Sequence, residues 1–227
     1  MYLKYVLVSV VITFVIFPIT GCSFHPWSSS TNKNAVNFPD KQLEAVVRKE
    51  IGKPDGSILI SDLEKITVLN ARAARIADLS GLEYCINLKE LRLPWNRITD
   101  VSSVSHLTGL VEMNLDGNPI KDLSPLSGIS SLQKFSLSWN PNSPHFPPYV
   151  DSLTGFRSVK DVSPLSGLTN LVSLNLSWNQ ISDIAPLSSL TNLVSLDLSF
   201  NPISDISPLY KLPELTELNL SGLNLGG

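Results

Sequence analysis

Residues 181–209 read ISDIAPLSSLTNLVSLDLSFNPISDISPL, and the Ile-Ser-Asp-Ile that opens the stretch at Ile181 returns 22 residues later at Ile203. The same period extends upstream. Leu88, Leu110 and Leu132 share one phase, Leu171, Leu193 and Leu215 resume it after an insertion, and Ile66 opens the series. Three and five residues after each start stand apolar side chains: Leu91 and Leu93, Met113 and Leu115, Phe135 and Leu137, Leu174 and Leu176, Leu196 and Leu198, Leu218 and Leu220. At +8 stands an asparagine (Asn96, Asn118, Asn140, Asn179, Asn201), and at +10 an isoleucine in four units (Ile98, Ile120, Ile181, Ile203). Apolar residues two apart point to one face of a strand. A fixed period of this length means a solenoid whose units bury a shared core only by stacking.

This is a leucine-rich repeat, and the pattern predicts a solenoid of 22-residue units with parallel strands on the concave face. The stretch 181–209 resembles the internalin-like class of bacterial leucine-rich repeat proteins, and the resemblance extends over roughly 160 of the 227 residues. It implies a curved solenoid, short 3₁₀ turns on the convex face, and binding through the concave face or its rims. It names no ligand.

Each recurring residue has an architectural role. An asparagine amide donates and accepts, so a stacked column of them can satisfy backbone groups where the strands turn. The aspartates at +12 (Asp78, Asp100, Asp122, Asp183, Asp205, with Asp161 restoring the phase after the insertion) precede an apolar-Ser-Pro-like turn. A carboxylate there caps the N–H groups of a short 3₁₀ segment. Cys85 aligns with Leu107, Ile129, Leu168, Leu190 and Leu212, a convex-side core column, and should behave as a small hydrophobe.

Upstream of the repeats, residues 38–65 read as a helical cap. Leu43, Val46, Val47 and Ile51 follow helical spacing, Asp40 is placed to cap the start, and Gly52 and Pro54 end the helix. Ser61-Asp62-Leu63-Glu64 fits a capping box for a second helix. Residues 22–37 are Ser/Asn-rich and without periodicity, the composition of a flexible tether. Residues 1–21, with Lys4 before a short apolar run, describe a secretory signal. Its end, Ile19-Thr20-Gly21-Cys22, resembles the bacterial lipobox, which implies cleavage before Cys22 and a diacylglyceryl group on its sulfur. Two or three acyl chains suffice for stable attachment where one does not. The expected location is a bacterial membrane, outward-facing and lipid-anchored. With Cys22 acylated, Cys85 has no disulfide partner.

Three departures from the repeat point to function. The unit from Leu132 to Leu171 is 39 residues long, and its excess falls in an insertion at 141–159 that carries Phe146, Tyr149 and Arg157. A long loop on a solenoid is either a binding element or a tolerated insertion folded on the flank. The +7 position holds Trp95, Trp139, Trp178 and Phe200, interrupted by Gly117. Such a row suits an exposed rim that contacts a protein or a sugar ring, or else rings packed on one another. Finally, the last unit puts Leu223 in the asparagine position and carries Leu225, which predicts weak self-association or docking of a partner strand through residues 215–227, or else a tail curled on its own core. On the concave face, charged positions (Lys89, Glu90, Arg92, Glu112, Asp116, Lys134) give way to serines such as Ser138, Ser177 and Ser199, read as outward-facing.

Composition excludes other classes. With 43% hydrophobic residues and 16% charged ones the chain has ample material for a core. A net charge of -3 disfavours nucleic acid, whose binding rests on Lys and Arg at phosphates. Three histidines, spread over tether, convex side and insertion, form no metal or catalytic pair, and no cofactor or enzymatic activity is expected. The reading is a surface protein that binds a protein partner through the concave face, aromatic rim and insertion, with carbohydrate as the alternative ligand.

Overall fold

The computed structural model describes residues 33–140 and 159–223; Cys22, Phe146, Tyr149, Arg157 and Leu225 lie outside the described residues. The chain enters through a cap built of β1 (Ala35–Val36), α1 (Lys41–Glu50), β2 (Ile58–Leu59) and α2 (Ile60–Leu63). β1 and β2 pair antiparallel, so ordered structure reaches back into the stretch whose composition suggests a tether. Asp40 caps α1 as its position predicts, accepting from the amides of Gln42 at 2.8 Å and Leu43 at 3.1 Å. Gly52 closes the helix at φ +64°.

The capping box at Ser61 and Glu64 is corrected. The second helix starts two residues earlier, its cap is Leu59, and Asp62 reaches back to the Leu59 amide at 3.0 Å. Asp62 also pairs with Lys53 at 2.9 Å, an ion pair that is satisfied only in this shorter frame. Leu43, Val47 and Leu63 bury their apolar faces against the first repeat.

Seven three-residue strands then form one parallel sheet in chain order: β3 (Val68–Asn70), β4 (Glu90–Arg92), β5 (Glu112–Asn114), β6 (Lys134–Ser136), β7 (Ser173–Asn175), β8 (Ser195–Asp197) and β9 (Glu217–Asn219). The register keeps the +3 column in line, with Leu91 beside Met113, Met113 beside Phe135 and Phe135 beside Leu174. β6 and β7 pair directly, so the insertion leaves the sheet unbroken. Short 3₁₀ turns on the far side, such as Ser124–Leu126 and Ser163–Leu165, carry proline in their first turn, where its fixed φ suits the start. One apolar core runs from Phe38 to Leu212 and contains the buried Cys85. Burial, with a smaller contribution from Glu83, pushes the Cys85 thiol up to about 12, so it is an inert apolar group.

The asparagine column works as its spacing predicts. Asn118 accepts from the Ile98 amide at 3.1 Å and donates to the carbonyls of Leu93 and Leu115, each at 2.9 Å. Asn96, Asn179 and Asn201 repeat the arrangement. The +12 aspartates cap the 3₁₀ turns: Asp100, Asp122, Asp161, Asp183 and Asp205 each accept from the amide two residues on at 2.8 Å. Hydrogen bonds from Ser102 lower the Asp100 pKa, and the Ser163 and Ser207 amides do the same for Asp161 and Asp205. A second column, missed in the sequence reading, ties the opposite edge. Asn87, Asn170 and Asn192 donate to Glu64, Ser130 and Thr169 carbonyls at 2.8 Å. Its signal is legible afterwards, since each of these asparagines directly precedes a unit-opening leucine.

Candidate functional site: the rim after the strands

After most of the strands, though not at Trp139 beyond β6, the +7 residue adopts a left-handed turn. Trp95 has φ +62°, Trp178 +59°, Phe200 +57° and Gly117 +67°. A non-glycine residue with this backbone costs free energy, and a ladder of hydrogen bonds offsets it. The amides of Trp95, Gly117, Trp178 and Phe200 donate to the carbonyls of Asp116, Ser138, Ser199 and Ser221 in the next unit at 2.6–2.8 Å. The turn releases the following asparagine inward, so the aromatic side chain and the buried amide column are two sides of one bend.

The rings do not form a uniformly exposed row. Trp95 and Trp139 are buried, at 5% and 4% exposure, with centroids 6.2 Å apart. The physical reason is Gly117. Trp95 lies over it so closely that a Cβ there would stand 2.7 Å from Trp95 Cδ2, and the missing side chain lets the two indoles meet across an intervening unit. Further along, Trp178 and Phe200 stack with centroids 4.0 Å apart and planes 17° apart. Phe200 in turn covers Gly222, where a Cβ would lie 2.6 Å from Phe200 Cδ1. Trp178 is half-buried, and Phe200 is 39% exposed. Of the four aromatics that the sequence places on the rim, the last two are therefore the accessible ones.

The insertion is rooted at the same rim. Between the +8 asparagine and the +10 apolar residue the regular units have one residue, for example Arg97, Pro119, Gln180 or Pro202. In the fourth unit residues 141–158 stand there, between Asn140 and Val159. Val159 takes the isoleucine's place, donating to Asn179 Oδ1 at 3.3 Å and accepting from the Gln180 amide at 2.9 Å.

The concave serines are corrected. Ser177 is 5% exposed, and Ser138 and Ser199 are buried too. Their hydrogen-bonding capacity is used within the chain. Asn175 accepts from the Ser177 amide and hydroxyl at 3.0 and 2.8 Å, Asp197 accepts from those of Ser199 at 2.9 and 2.6 Å, and Asp116 accepts from the Ser138 amide at 2.7 Å. The early concave charges are likewise engaged. Arg92 contacts Glu90 at 2.6 Å and Glu112 at 2.7 Å, and its hydrogen bond lowers the Glu112 pKa. Among the described residues no group of three or more His, Cys, Asp or Glu side chains is placed to hold a metal ion.

The comparisons with known proteins follow this geometry. Models of leucine-rich repeats match residues 84–102, 167–184 and 191–225. The crystal structure of internalin C2 from Listeria monocytogenes superposes with a TM-score of 0.71 at 34% identity, over 82% of this chain and 76% of that one. The chain belongs to the internalin family of leucine-rich repeat proteins. Its fold is shared at 22% identity with a leucine-rich repeat protein of Leptospira interrogans (TM-score 0.56, covering 72% of this chain and 39% of that). The ectodomain of the Arabidopsis thaliana receptor kinase GASSHO1/SCHENGEN3 also shares it at 23% identity (TM-score 0.58, covering 74% and 20%). No curated protein matches the chain.

Proposed function

We propose that this internalin-family protein is an exported, lipid-anchored binding protein that recognises a protein partner through its rim. The observation that carries the reading is the Trp178–Phe200 stack, an accessible aromatic pair whose backbone is fixed by the inter-unit ladder. Rigid aromatics with little conformational entropy to lose are the residues that dominate protein interfaces. The insertion between Asn140 and Val159, whose Phe146, Tyr149 and Arg157 lie outside the described residues, is proposed to add to the contact surface. The same fold in the plant ectodomain is found in complex with Casparian strip integrity factor 2, which supports the fold as a carrier of a binding surface.

What weighs against the carbohydrate alternative is ring geometry. Sugar stacking needs an open aromatic face, whereas Trp178 covers Phe200 on one side and the Gly222 backbone lies against the same ring. Its exposed edge suits an aliphatic or cationic side chain better. The leader supports export, and Cys22 would carry the anchor; no helix among the described residues is long and apolar enough to cross a membrane. Self-association through residues 215–227 is part of the proposal, resting on the exposed Leu218.

Affinity capture from the native envelope tests the reading. A bound protein lost with Phe200→Ala or with deletion of 141–158 supports it. Binding on a glycan array that Trp178→Ala abolishes would replace it with the carbohydrate reading. Acyl labelling of the parent but not of Cys22→Ala tests the anchor, and sedimentation over a concentration series tests self-association.

A further inference from the structure

The concave columns change character along the sheet. Strand positions +2 and +4 face the same side, and at β4 and β5 they hold Glu90, Arg92 and Glu112, three charges that pair among themselves. At β8 and β9 the same columns hold Asp197 and Glu217, on adjacent strands, with Ser195 registered against Glu217 and Asp197 against Asn219. No lysine or arginine occurs anywhere between residues 161 and 210. The concave cation nearest along the sheet is Lys134 on β6, two strands from Asp197 and three from Glu217. At roughly 4.8 Å per strand that is about 10 and 14 Å, beyond the Debye length of about 8 Å in physiological salt. Asp197 is held by neutral donors only: Ser199 through its amide and hydroxyl, and Asn219 Nδ2 at 3.1 Å. Phe200, three residues beyond Asp197 at the rim of β8, is 39% exposed, whereas Leu218, 44% exposed, belongs to the inward column on the other side of β9.

We infer that the concave face of β8 and β9 docks a basic polypeptide segment, one that sets an arginine or lysine between Asp197 and Glu217 and an apolar side chain on Phe200. Charge complementarity selects this occupant. An apolar contact on Phe200 would accept many partners, but an acidic face with no cation near it among the described residues rejects acidic segments and leaves neutral ones without compensation for the carboxylates' lost hydration. Arginine fits best, because its planar fork can serve two acceptors at once. This assignment rests on the protein-binding reading and specifies the partner's chemistry.

The test is selection of a displayed library of random 12-residue peptides on the full chain. Expected are peptides carrying arginine or lysine next to an aliphatic or aromatic residue. Their affinity should fall about tenfold in the Asp197→Asn/Glu217→Gln double variant, fall with added salt, and stay unchanged in Glu90→Gln. Glu217→Gln alone, on an exposed strand, should give part of the loss, and an unchanged thermal midpoint rules out misfolding as its cause. Glu217→Lys should shift selection toward acidic peptides. Enrichment of neutral or acidic peptides by the parent, or of basic ones indifferent to the double variant, would overturn this assignment while leaving protein binding standing. Recovery of no peptide at all overturns both. Dimerisation in sedimentation that Leu218→Lys abolishes is compatible with the inference, since Leu218 lies on the other side of β9; dimerisation that the Asp197→Asn/Glu217→Gln double variant abolishes, with peptide binding absent, assigns the concave face to a second copy and overturns it.

Discussion

The two ends of the sheet are built on one column plan and use it in opposite ways. At β4 and β5 the inward Leu91 is fully buried, Glu90, Arg92 and Glu112 satisfy one another, and the Trp95 ring is packed over Gly117. At β8 and β9 the inward column ends in the exposed Leu218, the carboxylates of Asp197 and Glu217 have no cation within reach among the described residues, and Phe200 is exposed. A repeat therefore fixes where side chains go and leaves open whether they are spent on the fold or available to a partner. The first end behaves as interior and the second as surface.

The largest contrast should appear in the inward column itself. Leu91→Ala removes buried methylenes and leaves a cavity, which costs about 2–5 kcal/mol. Leu218→Ala, same residue type and same column, should cost under about 1 kcal/mol because water already reaches the side chain. Urea melts of the two variants check this, and equal midpoint shifts would mean that β9 is covered in solution.

The asparagines sharpen the same contrast. Asn118→Ala strips a partner from the Ile98 amide and from two buried carbonyls, an expected loss of roughly 2–4 kcal/mol. Asn219→Ala removes bonds to Asp197 and to the Ser221 amide that water can replace, and should cost below about 1 kcal/mol. Hydrogen exchange at the Ile98 amide provides a local readout of the first.

How much of this was legible in the sequence follows from what a period can encode. The strands, the 3₁₀ turns, the asparagine column and the aspartate caps recur, so each unit corroborates the others, and Cys85 could be placed by alignment alone. Burial of the rim aromatics is not periodic. Trp95 and Phe200 occupy equivalent positions, and their fates differ because one lies over Gly117 with an indole beyond it while the other lies near the end of the sheet. The serine burial was missed for a related reason. A strand alternation counted outward from Leu176 puts Ser177 on the surface, but the left-handed turn at Trp178 has already bent the chain, and Asn175 folds over the serine. The helix cap at Leu59 was missed because the capping side chain sits three residues inside the helix, where the Ser-Asp-Leu-Glu motif drew attention to the wrong member.

Gly117→Ala probes the sealed aromatic pair. The new Cβ would meet the Trp95 ring and would sit on a residue with positive φ, so about 1–3 kcal/mol of destabilisation is expected together with a change in near-ultraviolet circular dichroism. Gly128→Ala, where a Cβ meets nothing within 4 Å, is the matching control and should leave the spectrum unchanged.

The smallest effect concerns how the buried end is closed. Asp40 serves two elements at once: Oδ1 caps α1, and Oδ2 accepts from the Ala77 and Asp78 amides of the first repeat at 2.7 and 3.2 Å. Partial burial works against its charge, but the four backbone donors outweigh that and bring its pKa below the ordinary carboxylate value. A depressed folded-state pKa contributes stability that is present above the unfolded value and lost as the pH falls through the folded one. The cap should therefore loosen as the pH falls through the Asp40 carboxylate's range. Asp40→Asn separates the two roles. Its carbonyl still caps α1, but its amide cannot accept from Ala77 and Asp78, so the pH dependence of cap docking should disappear at a cost of roughly 0.5–1 kcal/mol at neutral pH. Protection factors at the Ala77 and Asp78 amides, which divide out the intrinsic slowing of exchange in acid, should drop on acidification in the parent and already be low at pH 7 in the variant, with β8–β9 protection unchanged in both. If protection instead drops along the whole solenoid, the capped end and the open end are a single cooperative unit, and the contrast between them is confined to side chains.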